Sequence, residues 1–246
     1  MRKLWAIIAR EWRAYFFSPL AYVILAAFLL MNGVIFGAIV AFLNDPNAPK
    51  GQALTLLFTN TYFWLFLLFV VPIIAMRLFP EERKSGTIEV LLTSPVSEGT
   101  VVLGKFIGAL GFFLTLWLPT LAYIFILRAQ TPIDVGPVVA GYLAITLIGA
   151  YFLSVGTFAS VLSKNQIVAA ILSFAMLIPI FSAGLVEGMV TDPKTRNLVG
   201  YFNLWEHMEE FSRGVVDTRR VVYYVSATVF FLFLTTVTLS AKKETP

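Results

Sequence analysis

Six windows without a single Asp, Glu, Lys or Arg divide this chain of 246 residues: 14–44, 51–76, 106–127, 135–163, 165–186 and 221–241. An α-helix needs about 20 apolar residues to cross the hydrocarbon layer of a bilayer. All six windows reach that length, and a soluble core rarely contains helices of this kind in series. Composition agrees, with 59% hydrophobic residues, 13% charged residues and a mean hydropathy of +0.84. The windows predict an all-α, polytopic membrane protein with six transmembrane helices, roughly 20–43, 55–77, 102–127, 138–162, 166–187 and 221–241, in a single transmembrane domain over 1–246.

The sparse charges then set the expected orientation. With the N-terminus inside, inner segments hold 11 of the 18 Lys and Arg residues, and outer segments hold seven. Five of those seven fall in the one long outer segment, where basic residues weigh little in the positive-inside rule. Both termini are therefore expected in the cytoplasm, in an inner (cytoplasmic) cell membrane. The net charge of +4 reads as membrane orientation rather than nucleic-acid binding. The absence of Cys removes disulfide and thiolate chemistry.

The first sixteen residues resemble a signal peptide only at their basic start, since Arg10, Glu11 and Arg13 interrupt the apolar run. At helical spacing Leu4, Trp5, Ile8, Trp12, Tyr15 and Phe16 share one side, and Arg2, Lys3, Arg10 and Arg13 share another. That pattern predicts an N-terminal interfacial helix, with Trp5 and Trp12 at headgroup level and Arg10 and Arg13 near anionic lipid. Ser18-Pro19 then turns the chain into the first span.

Between the second and third spans, 77–105 is a polar, turn-rich island. Pro80 suits the first position of a helix, with Glu81 and Glu82 at its positive end. Ile88, Leu91 and Leu92 would share one face, with Glu82, Ser85 and Glu89 roughly opposite. Ser94-Pro95 would stop the helix. The pattern allows two readings, a short amphipathic helix along the membrane or a solvated loop with one helical turn.

Arg77, Phe79, Glu81-Glu82-Arg83, Gly86-Thr87, Glu89, Leu91-Leu92, Ser94-Pro95-Val96 and Gly104-Lys105 resemble the first cytoplasmic loop of ABC-2 (type 2 exporter) permeases. The chain is most similar to the gliding-motility-associated permeases, with the nitrous-oxide-reductase maturation permeases as close relatives. The resemblance implies a cytoplasmic coupling helix that docks on a separate ABC ATPase subunit. Glu81, Glu82, Arg83, Lys84, Thr87, Ile88, Glu89, Leu91 and Leu92 would carry that ATPase coupling, the charged residues at a polar rim. ATP and magnesium would then sit on the partner ATPase, with no cofactor on this chain. A second permease copy or paralogue would complete the unit, and an outer-side accessory protein could join it.

Three prolines lie inside the spans, Pro72, Pro119 and Pro179. They are either hinge candidates or the ordinary tolerance of proline in membrane helices. Gly104, Gly108 and Gly111 mark a small-residue face suited to close helix packing, as do Gly149 and Gly156. The long outer segment, 190–220, predicts one amphipathic helix capped by Asn203 and Gly214. Its apolar stripe is Leu204, Met208, Phe211 and Val215, and Glu206, Glu209, Glu210 and Arg213 face away.

Gly99-x-x-x-x-Gly104-Lys105 matches most of a phosphate-binding loop, but Phe106 stands where Ser or Thr should hold magnesium, and no strand precedes it. His207, the single histidine, is expected on the polar face of the outer helix rather than at a metal. No ionisable side chain is expected at mid-depth, which argues against proton coupling. Two functions remain open: a permease subunit driven by a separate ATPase, or an ATPase-coupled assembly factor or anchor acting on outer partners. A membrane enzyme, such as an intramembrane protease, is the more distant third.

Overall fold

The computed structural model describes residues 2–45, 53–86, 96–130, 133–187 and 189–244, and these form helices and turns with no strand. The helices are α1 (Arg2–Phe16), α2 (Pro19–Leu43), α3 (Ala53–Thr59), α4 (Thr61–Ala75), α5 (Pro80–Lys84) and α6 (Glu98–Trp117). After a 3-10 turn (Leu118–Thr120) come α7 (Leu121–Gln130), α8 (Val135–Leu162), α9 (Gln166–Glu187), α10 (Pro193–Gly200), α11 (Leu204–Ser212) and α12 (Thr218–Glu244). Among the described residues, six helical stretches are long and apolar enough to cross a membrane, in the windows the sequence predicts.

Two expected spans are not single rods. Asn60 divides α3 from α4: its side chain accepts from Phe63 N–H at 2.8 Å and donates to the Leu57 carbonyl at 2.8 Å. An Asn side chain that bonds nearby backbone in this way competes with the helical ladder. Pro119 divides α6 from α7, because it lacks an N–H and its ring crowds the preceding turn. The 3-10 turn absorbs that disruption, and the Thr120 hydroxyl, 2.8 Å from Tyr142 Oη, links it to α8. Pro72 and Pro179, by contrast, lie inside continuous helices.

α8 is the central post, packed by α4, α6, α9, α11 and α12. The second and fourth candidate spans bury 67% and 61% of their apolar windows within the molecule, against 28%, 17% and 17% for the first, fifth and sixth. The first, fifth and sixth spans thus present most of their apolar surface outward. Small residues let the inner helices approach. Gly156 on α8 faces Ala75 of α4, where an added Cβ would come within 2.6 Å. Gly149 faces the Phe113 ring of α6 in the same way. Hydroxyls within α12 satisfy themselves locally, with Thr235, Thr236, Thr238 and Ser240 each donating to the carbonyl four residues back.

Candidate functional site

The polar loop begins as the sequence suggests, with one helical turn. Pro80 opens α5, with Glu81 and Glu82 in its first turn. The helix is only five residues long. Ser85 N–H closes on the Glu81 carbonyl at 3.0 Å, and Gly86 adopts φ +69°. That left-handed geometry costs glycine little and ends the turn, so the first turn does not run on as one helix to Ser94. Thr87, Ile88, Glu89, Leu91 and Leu92 lie outside the described residues.

Glu82 is not a rim charge. It is 9% exposed and points into the molecule, where it meets Arg10 of α1 and Lys105 of α6. Lys105, 1% exposed, donates to Glu11 Oε1 at 2.9 Å and lies 3.0 Å from Glu82 Oε1. Arg10 Nη2 bridges the same two carboxylates, reaching Glu11 at 3.1 Å and Glu82 more closely. Two cations and two anions leave the cluster neutral, which is what burial of ionic groups demands. The Lys105 ammonium also sits 5.4 Å from the centre of the Phe79 ring. A lysine committed in this way is not free for a nucleotide phosphate, which disposes of the partial phosphate-loop motif.

A second set of contacts fixes the same loop to α8. Arg83 donates to the carbonyls of Ser163 at 2.6 Å and Val161 at 2.8 Å. Lys242, near the end of α12, donates to the Val161 carbonyl at 2.8 Å. The last carbonyls of a helix lack internal partners and carry partial negative charge, so two cations suit them. Arg83 is thus also turned inward. Glu81 and Lys84 are the exposed charges of the turn, and Glu81 pairs with Arg77 at 2.9 Å. The helix next to the N-terminus and the last turns of α12 therefore share the loop end of the molecule.

α1 is held against α6 by the glycine face. A Cβ on Gly104 would lie 2.6 Å from Ile7 Cγ2, and one on Gly108 would lie 2.7 Å from Glu11 Cβ. The buried face of α1 is Ile7, Glu11 and Tyr15, at helical spacing. This differs from the expected amphipathic division, because Glu11 belongs to the packed face through its partner Lys105. Tyr15 Oη donates to the Ile74 carbonyl at 2.9 Å, and its ring stacks on Phe112. Trp5, Trp12, Arg10 and Arg13 lie on exposed surface.

At the opposite end the expected helix, α11, is preceded by a second short one, α10. Asp192 caps α10 by accepting from Thr195 N–H at 2.9 Å. Asn203 caps α11, accepting from Trp205 and Glu206 N–H, and its Nδ2 donates to Glu187 Oε2 at 2.7 Å. Asn203 N–H bonds the Gly200 carbonyl, so Glu206 is not the reciprocal half of a capping box. Gly214, at φ +84°, ends α11 with its N–H on Phe211 and Val215 N–H on Glu210. Leu204, Met208 and Phe211 are fully buried against the molecule's own helices, while Val215 lies beyond the helix end and is 55% exposed.

His207 corrects a further expectation. It is fully buried rather than on the polar face, and its Nδ1 lies 2.8 Å from Tyr224 Oη on α12. Burial, reinforced by the nearby Arg220 charge, lowers its pKa to about 3, so the ring is neutral. No group of three or more acidic or histidine side chains suited to a metal occurs among the described residues.

Glu11 and Lys242 were not expected at a site, and Lys105 stood out only within the Gly104-Lys105 pair, yet the three carry the loop's anchorage. One signal was available for Lys105, a lysine that begins a charge-free window on a glycine-marked face. No curated protein matches the chain. The sequence profile described as "ABC-2 family transporter protein" matches residues 39–205, more than half of the chain and including the whole anchored loop. A multi-pass apolar bundle whose polar loop between the second and third spans is tied to the N-terminal helix α1 and to the third span is thus accounted for by descent: the chain belongs to the ABC-2 family of transporter proteins.

Proposed function

We propose that the chain is the permease subunit of an ATP-driven ABC transporter, converting ATP hydrolysis on a separate subunit into movement of its spans. Family membership implies an ABC ATPase as partner, and the family's domain is a membrane component rather than a catalytic one. The observation that carries the reading is the buried cluster. Force applied to the first turn of the loop reaches α1 through Arg10 and Glu11, α6 through Lys105, and α8 through Arg83. The ATPase would meet the exposed charges Glu81 and Lys84 together with 87–95. Both termini and this loop would lie in the cytoplasm, in a cell inner membrane, with a second copy against the outward-facing spans. The chain's resemblance to gliding-motility-associated permeases belongs to the same reading, with an outer-side accessory protein at 190–220 as a further partner.

The test is made on the complex with the ATPase. Glu82→Gln should leave co-purification of the ATPase intact while reducing the response of ATP turnover to the permease. Reversing Glu81 and Lys84 together should weaken co-purification. Unchanged docking and unchanged turnover in both variants would remove this end of the molecule from coupling. Orientation is checked with single cysteines: Thr191→Cys should react with an impermeant reagent from outside and Lys164→Cys should not. Both positions are exposed.

A further inference from the structure

At the end opposite the loop, α9 finishes at Glu187 and α12 begins at Thr218, so both span termini stand where the apolar layer meets water. Between them opens a cavity of about 440 Å³, lined by Glu187, Tyr201, Phe202, Glu206, Arg219 and Tyr223. Its walls offer two kinds of recognition side by side. Glu206 is exposed and has no ion-pair partner among the described residues. Glu187 accepts from Asn203 and faces the Arg196 guanidinium at 3.9 Å, a loose pairing. Phe202 and Tyr223 meet edge to face with ring centres 5.9 Å apart, and Tyr201 and Phe202 are more than half exposed. Carboxylates beside open aromatic faces suit a substituted ammonium group.

The other wall is cationic. The Arg219 side chain is 79% exposed and pairs with Asp217, two residues earlier in the chain. Its Nε and Nη2 hold the Asp217 carboxylate at 3.0 and 2.9 Å, which leaves Nη1 of an exposed guanidinium at the first turn of a long helix to meet a phosphate. Beyond Arg219 on α12, Val222, Val225 and Val229 follow at helical spacing and are exposed, giving an apolar track that leads from the cavity into the bilayer. Ammonium, phosphate and hydrocarbon are the three parts of one molecule.

We propose that this cavity binds the zwitterionic headgroup of a phospholipid in the leaflet opposite the loop. The ammonium lies against Glu206, Glu187 and the aromatic corner, the phosphate on Arg219, and an acyl chain along the valine track of α12. Native mass spectrometry tests it on the full chain released from nanodiscs of mixed phosphatidylethanolamine and phosphatidylglycerol. The wild type should retain phosphatidylethanolamine in preference. Glu206→Gln and Arg219→Gln should each cut that retention about fivefold, the scale of one charge-assisted hydrogen bond. Glu209→Gln, on the same helix but outside the cavity, should retain it as the wild type does. Equal retention of both lipids, or a Glu206→Gln protein as retentive as wild type, overturns the proposal. Displacement by soluble phosphoethanolamine at matched concentration would assign the site to a free solute and overturn the lipid.

Discussion

The two ends of the bundle are held by opposite means. At the loop end, α1, α5, α6, α8 and α12 meet through Arg10, Glu11, Glu82, Lys105, Arg83 and Lys242. At the other end, α11 is seated by the fully buried Leu204, Met208 and Phe211, with Trp205 against Trp64 at 4.9 Å between ring centres. Apolar seating is non-directional and loses its contacts all at once, which suits a fixed cover. A neutral ionic cluster is directional: it demands one geometry and resists separation of any member. A segment that must pass on a push without detaching needs the second kind of attachment. Because the apolar stripe of α11 is used up inside the molecule, an outer partner would have to read the other faces of α10 and α11.

The comparison breaks hardest at Phe211. Phe211→Asp places an unpaired carboxylate where the side chain is fully buried. It should cost at least about 4 kcal/mol, read as a lost thermal transition in detergent or as failure to accumulate. Tolerance of the change would show that α11 is not seated as described. At the loop end, Lys105→Met leaves Glu11 and Glu82 with Arg10 as their remaining cluster cation and should cost about 3–5 kcal/mol. Adding Glu82→Gln restores neutrality and should recover part of that loss, about 1–2 kcal/mol in a double-mutant cycle. Strict additivity would mean that the pair does not interact.

The neutral His207 sharpens the contrast by pH. The unfolded ring takes up a proton near 6.5 and the folded one only near 3, so the unfolded state binds more protons between those values. This contribution is fully present above about pH 6.5 and declines as the pH falls towards 3, by up to about 1.4 kcal/mol per pH unit. Arg220 and Asp217 are the charges bearing on the ring, and Tyr223 and Tyr224 pack against it. A His207→Gln protein should have a shallower loss of thermal stability between pH 6.5 and 5 than wild type, and identical slopes would place the ring in water. The smallest effect belongs to Glu209→Gln. Its exposed pair with Arg213 contributes about 0–0.5 kcal/mol, so the melting temperature should barely move.

Much of the bundle was legible from charge-free windows alone, because lipid forces every span to be long, apolar and internally hydrogen-bonded. Asn203, Gly214, Ser18-Pro19 and Pro80 also announced helix ends correctly, since capping chemistry is local. Patterns failed where a side chain's partner lies far along the chain. The family resemblance put Glu82 at a polar rim, and Glu11 figured only as a break in an apolar run, yet the two carboxylates converge on Lys105, 23 and 94 residues away in sequence. His207 likewise looked polar among Glu206 and Glu210 until Tyr224 of α12 was brought beside it.

The sequence by itself determined six spans, the place of the polar loop between the second and third, and the small-residue faces. Each of these follows from the solvent a segment must face and from the bulk of its own residues. Only the tertiary structure decided that the glycine face of α6 receives α1, that a lysine beginning a span closes a four-residue ionic knot, and that Arg83 and Lys242 share one helix end. The physical reason is that burial sets the worth of a charge. The same Glu, Lys or Arg contributes little in water and several kcal/mol once desolvated, and which of these applies depends on what folds over it.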